Sequence, residues 1–210
     1  MPKIDFSQLK IPFLGADLIK KRADAFRNKH WDKIIPINIE KIIDVSLAID
    51  IVPVPEMEEL CNTNALISSD WSSLYVDKRL FDDERRYNRL RFSYAHEIGH
   101  YVLHKQFYAS LKIYSIEDFY MFFKEIPNDQ YNFLEAQANK FAGYFLAPRE
   151  ILRLEIKKLL DKNKSIIDLK TIDEKMLKSY MANPLAKKFG ISQESMEIIL
   201  NEYDLKILFN

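Results

Sequence analysis

The 210-residue chain lacks several features, and each absence excludes a class of protein. It has one cysteine, Cys61, so no internal disulfide can form, which suits a reducing compartment. It has no excess of charge: Lys plus Arg and Asp plus Glu both number 31, so no overall field draws the chain to nucleic acid or anionic lipid. No apolar run approaches the roughly eighteen residues of a membrane span. The start, Met1-Pro2-Lys3-Ile4-Asp5, carries charge where a signal peptide needs its apolar stretch. There is no internal repeat and no low-complexity tract. What the chain does have is core material, with 48% hydrophobic and 13% aromatic residues. The expectation is a soluble, cytoplasmic globular protein of one domain, with room for a small second one.

Histidine is also scarce, yet three of the four histidines fall within nine positions. They lie in Phe92-Ser93-Tyr94-Ala95-His96-Glu97-Ile98-Gly99-His100-Tyr101-Val102-Leu103-His104, where His96, Glu97 and His100 spell H-E-x-x-H. On a helix, residues four apart stand one above the other, so both imidazoles can face one metal ion. Glu97 then sits beside them, placed to accept a proton from water. The plainer alternative is an amphipathic helix with histidines on its polar side. The longer form of the motif fails, because Leu103 and Gln106 occupy its glycine and third histidine positions. His104 stands eight residues beyond His96, roughly 12 Å along a helix axis, too far to share an ion with it. It reads as a helix-face residue or a partner behind the ligands.

Around the motif the pattern is α+β. Helices are expected over 15–30, over 39–48 after an Asn38 cap, over 82–105 carrying the motif, from a Ser115 cap to about 124, and over 129–146. Asp118 stands in weakly for the usual capping-box Glu or Gln. Ile49 to Val54 reads as a short strand, and 65–69 with 73–76 as a strand pair turning at Asp70-Trp71-Ser72. Only four glycines occur, yet Gly99 and Gly143 both lie inside expected helices. A mid-helix glycine costs about 1 kcal/mol against alanine, and close approach of the 82–105 and 129–146 helices is the reason expected here. After Glu150 come an amphipathic helix over 150–162, a polar, loop-like 163–174, and helix again over 175–205. The division is therefore 1–150 as the catalytic domain and 151–210 as a helical C-terminal region.

A catalytic zinc site takes three protein ligands, and two histidines leave one to find. Glu135 is the best candidate, with Asn139 one turn later to orient an imidazole. Glu117, Glu125, Asp129 and Glu150 are rivals that spacing does not exclude. The motif segment, followed by Glu135-x-x-Ala138-Asn139-x-Phe141-Ala142-x-x-Phe145-Leu146-x-Pro148, resembles the ImmA/IrrE family of zincin-like metallo-endopeptidases. The resemblance covers roughly residues 35–150. It implies a zincin-like core with a small antiparallel or mixed sheet packed on helices, Zn²⁺ as the cofactor, His96, His100 and Glu135 as its ligands, and Glu97 as the catalytic residue. It also implies a protein substrate, a helix-turn-helix transcriptional repressor of a mobile element or stress operon. The connector from His100 to Glu135 is unusually long and aromatic for the family, and the large regulatory domains of some relatives are not expected in these 210 residues.

Further points stay open on the sequence. Tyr94, Tyr101, Tyr114 and Tyr144 are all near enough to the motifs to donate to a developing oxyanion, and nothing selects among them. The aromatic stretch over 106–125 is either a lid or core, with core the stronger reading. Residues 185–200 have the outline of a helix-turn-helix, with Gly190 at the turn and Ser192 as cap. From Phe189 to Leu205, however, there are four acidic residues and no Lys or Arg, the wrong sign for approaching phosphates, so direct DNA binding is not expected. The alternative function is a partner-binding component of a toxin–antitoxin or phage-defence module with little protease activity.

Overall fold

Ile19, Ala23 and Phe26 recur at helical spacing, and in the computed structural model they form the buried stripe of α1 (Ala16–His30). The structure describes residues 6–163 and 173–202. Asn38 caps α2 (Ile39–Lys41), accepting from the Lys41 N–H at 2.9 Å. The helix then widens into a π turn over Ile42–Ser46, so the helix expected over 39–48 is shorter and less regular. The wider turn lets the adjacent Ile42 and Ile43 both enter the core.

Three strands follow: β1 (Asp50–Val54), then, after the short helix α3 (Met57–Cys61), β2 (Ala65–Ile67) and β3 (Ser73–Asp77). The sheet order is β1-β3-β2. β1 runs parallel to β3, from Asp50 opposite Ser73 to Val54 opposite Asp77. β2 is antiparallel to β3, with Ala65 opposite Val76 and Ile67 opposite Leu74. The sheet is thus mixed, and Pro53 is accommodated because β1 is an edge strand. Asp70 shapes the β2–β3 turn by accepting from Ser68 Oγ and the Ser72 N–H, which leaves Trp71 with φ of 64°.

Asp77 ends β3 and starts α4 (Lys78–Asp82), accepting from the N–H groups of Arg79 and Leu80 on one oxygen and of Glu58 on the other. The helix expected over 82–105 is interrupted here. Asp83 is extended and caps a single 3₁₀ turn through the Arg85 N–H, and the motif helix α5 spans Tyr87–Leu103. His104 leaves helical geometry, and α6 (Lys105–Leu111) follows. α7 (Ile116–Glu125) opens with a capping box in which Ser115 and Asp118 satisfy each other's backbone. Then come α8 (Asn128–Leu146), α9 (Arg149–Lys162), α10 (Glu174–Phe189) and α11 (Gln193–Asn201). The loop expected over 163–174 falls mostly outside the described residues. Gly190, at φ 63°, ends α10, and Ser192 caps α11 by accepting from the Ser195 N–H.

α5 and α8 pack against each other as the central pair, with α1 against α8 and β2 against α5. A Cβ placed on Gly99 would lie 3.1 Å from both Cα and O of Ala138, so the two backbones meet there as expected. Gly143 differs from its expectation. Its open side faces Ile199 of α11, at an ordinary 3.4 Å, and not α5. The aromatic 106–125 stretch is largely core: Tyr108, Leu111, Ile113, Phe119 and Phe122 are buried, and Phe6 packs edge-on against Phe122.

Candidate metal centre

α5 presents His96, Glu97 and His100, and α8 presents Tyr131, Glu135 and Asn139, each four residues after the last and so on one face. The helices can bring these groups together because Gly99 and Ala138 leave room between them. His96 Nε2 and His100 Nε2 are 3.0 Å apart. Glu135 Oε2 is 3.1 Å from His96 Nε2, and its Oε1 is 3.5 Å from His100 Nε2. A tetrahedral ion with bonds of about 2.0–2.1 Å holds neighbouring ligand atoms about 3.3 Å apart, so this triangle has the size one such ion requires. Its chemistry, two imidazoles and a carboxylate, suits zinc.

Glu97 is a second acid beside the pair, and His96, Glu97 and His100 offer ligand atoms all within 4.8 Å of one another. Its position is less suited to a ligand. Oε2 is occupied by the Ile67 N–H of β2 at 2.8 Å, and Oε1 stands 4.0 Å from His96 Nε2. Among the described residues, Glu97 and Glu135 are the carboxylates within 4.0 Å of these two histidines; Glu117, Glu125, Asp129 and Glu150 are not.

The electrostatics divide the roles. Burial pushes the Glu97 carboxyl up, and the nearby His100 and His96 only partly oppose it. Burial also works against an ionised Glu135, but His96 and His100 outweigh it and hold that carboxyl well below its usual range. His96 is disfavoured as a cation by burial, yet Glu135, Glu97 and Asn139 carry its pKa up to about 9. Asn139 Oδ1 lies 2.9 Å from His96 Nδ1, so the ring donates there and keeps Nε2 toward the centre. His104 is buried behind His100, and burial, with the neighbouring His100, lowers its pKa to about 3.

The centre opens into a cleft of about 430 Å³. Its walls are Asn62–Ala65 leading into β2, Arg89, Phe92 and Ser93 of α5, the α8 face, and Ser192, Glu194 and Ser195 at the start of α11. None of the four tyrosines considered from sequence lines it. Tyr94 is fully buried, Tyr101 packs against Trp71, Tyr114 is exposed, and Tyr144 donates to Glu202. The tyrosine in the cleft is Tyr131. The sequence held a signal for it, since 131, 135 and 139 share a helix face.

The family model for the M78 peptidases, the IrrE N-terminal-like domain, matches residues 80–201. The chain belongs to this family. The match takes in α5, α8 and the whole of α9 to α11, so the M78 likeness runs past residue 150 into the helix that walls the cleft. A solved structure described as a Mycobacterium tuberculosis transcriptional regulator shares the fold, with a TM-score of 0.50 at 15% identity over 86% of this chain and 44% of that one. This M78-family chain thus spans less than half the length of that protein. No curated protein matches it.

Proposed function

We propose that the chain is a zinc-dependent endopeptidase that hydrolyses a peptide bond in a protein substrate. The observation that carries this reading is the convergence of His96 Nε2, His100 Nε2 and the Glu135 carboxylate in a triangle of 3.0–3.5 Å edges, with the second acid Glu97 directly beside it. His96, His100 and Glu135 are the ligands, and Asn139 orients His96. A bound zinc supplies Lewis acidity, polarising the scissile carbonyl and lowering the pKa of water toward about 7. Glu97 takes the proton of the attacking water on its free oxygen and passes it to the leaving amine. Its raised pKa suits that exchange, because a carboxyl that is easily protonated can hold the proton between the two steps. The polar cleft accommodates an extended peptide between β2 and α11.

The substrate we favour is a helix-turn-helix transcriptional repressor, following the family resemblance. A protein described as a transcriptional regulator carries the same fold, which is compatible with a place in transcription control. In this reading residues 1–150 form the catalytic portion and 151–210 a helical region whose α11 completes the cleft.

Elemental analysis of the purified chain beside His100→Ala and Glu135→Ala tests the metal, and mixing with a candidate helix-turn-helix repressor from the same source tests the reaction. About one zinc per chain, lost in both variants, together with new fragments of the repressor, is the expected outcome. A repressor bound stably but never cut would point instead to a partner-binding component.

A further inference from the structure

His104 cannot share an ion with His96, yet its ring is 3% exposed and stands directly behind His100. We infer that His104 and Gln137 set the tautomer of His100, through a line of hydrogen bonds that begins at the backbone of the N-terminal segment.

The line is read from its far end. The Pro12 carbonyl can only accept, and Gln137 Nε2 donates to it at 3.0 Å. That fixes which way the amide points, so Gln137 Oε1 is the atom 3.2 Å from His104 Nε2. An amide oxygen accepts and never donates, so His104 Nε2 carries the proton of its ring. A neutral imidazole has only one, which leaves His104 Nδ1 as a bare acceptor, 3.1 Å from His100 Nδ1. His100 therefore holds a proton on Nδ1, and as a neutral ring it presents the Nε2 lone pair to the point where His96 and Glu135 converge. Asn139 accepts the Nδ1–H of His96 as its partner in a single step. Two candidate ligands are thus aimed by two different devices, one short and partly open, the other long and buried.

The far end is itself anchored. Gln130, seven residues before Gln137 on α8, accepts from the Ile11 N–H at 2.9 Å, so two glutamines on one helix face grip consecutive residues of the segment before α1. Reversing the Gln137 amide would break its bond to Pro12 and turn an N–H toward His104. His104 would then donate to His100, and His100 would turn its proton toward the metal. His104 and Gln137 are in this sense positioning residues; neither touches the centre.

The consequence for metal rests on the reading of His100 as a ligand, but the tautomer is a property of the metal-free chain and is measured separately. Imidazole ¹⁵N NMR of the full-length, metal-free protein reads it directly, and zinc affinity by chelator competition reads the consequence. In the wild type, His100 is expected with Nδ1 protonated and His104 with Nε2 protonated. In Gln137→Leu and in His104→Phe, His100 is expected to populate both tautomers, with zinc affinity reduced about 10–100-fold and the double variant no worse than the weaker single one. A wild-type His100 protonated on Nε2 overturns the inference without any variant having to fold, and so does a tautomer unchanged in Gln137→Leu. A wild type with the expected tautomers that takes up no zinc would leave the relay standing and remove the metalloprotease reading.

Discussion

Glu97 is held by an edge strand: its Oε2 accepts from the Ile67 N–H at 2.8 Å, across the gap between α5 and β2. One carboxylate oxygen is thereby spent on the sheet, and the other is turned toward His96 at 4.0 Å. The three-stranded sheet thus fixes the orientation of the one acid that the motif helix supplies.

Glu97→Gln separates metal binding from turnover. The amide oxygen can keep the bond to Ile67, so the fold and metal content should be unchanged, while the free position can no longer accept a proton. Hydrolysis should fall by about 10²–10⁴-fold, the usual scale of a lost acid–base group. Metal analysis and a cleavage assay on the same sample check this, and unchanged turnover would reject Glu97 as the proton carrier.

Tyr131 is the phenol that lines the cleft, and in the proposed reaction it would donate to the developing oxyanion. Burial, then the nearby Glu135 and Glu97, push its pKa up, so it keeps its proton at any working pH. Tyr131→Phe should lower kcat by about 10²–10³-fold, the scale of one lost oxyanion donor, with metal content retained. A kcat within a few-fold of wild type would remove it from that role.

The two helical glycines should behave oppositely. A methyl at Gly99 would press on the Ala138 backbone at 3.1 Å, and backbone cannot swing aside as a side chain can. Gly99→Ala should cost about 1–3 kcal/mol, as overpacking does, and weaken metal binding as α8 is displaced. Gly143→Ala meets only the Ile199 side chain at 3.4 Å and should gain up to about 1 kcal/mol from helix propensity. Urea melts of the two variants give the comparison; equal destabilisation would refute the close-approach account of Gly99.

Asp77 should govern part of the acid limb of stability. Burial raises its pKa, but three backbone N–H groups, from Glu58, Leu80 and Arg79, outweigh it and leave the folded pKa lowered. A lowered folded value means that the carboxylate stabilises the fold above the unfolded pKa of about 3.9. That contribution disappears as pH falls through the folded pKa. Asp77→Asn should therefore be less stable at pH 7 by about 1–3 kcal/mol, the cost of a buried partner lost, and the gap to wild type should close below about pH 4. A gap that persists to pH 2 would assign the loss to packing.

Much of this was legible along the chain because helices and caps are short-range objects. Asn38, Ser115 with Asp118, and Ser192 each act on backbone two or three residues away, and the apolar stripes of α1 and α8 repeat within a turn. Periodicity fails where a polar side chain redirects the backbone. Asp83 breaks the start of the expected 82–105 helix, and Asp77 opens a short helix before it, because each offers a carboxylate to the next free N–H groups, a contest that hydrophobic periodicity does not record.

From the sequence alone it follows that His96 and His100 share a helix face with Glu97 beside them, that a second helix offers Glu135 and Asn139 on one edge, and that Gly190 and Ser192 break the C-terminal helices. Helical periodicity suffices for the first two, and turn and cap chemistry for the third. Tertiary packing settles that Glu135 and not its rivals reaches the histidines, that β2 holds Glu97, that Gln137 ties His104 to the segment before α1, that Tyr131 enters the cleft, and that α11 walls it. These contacts join residues tens of positions apart, as Ile67 with Glu97 and Pro12 with Gln137 show. They follow from how apolar faces pack, and hydrophobic attraction is non-directional. The pattern of a face says that it will be covered; the steric fit of one helix on another, here at Gly99 and Ala138, says by what.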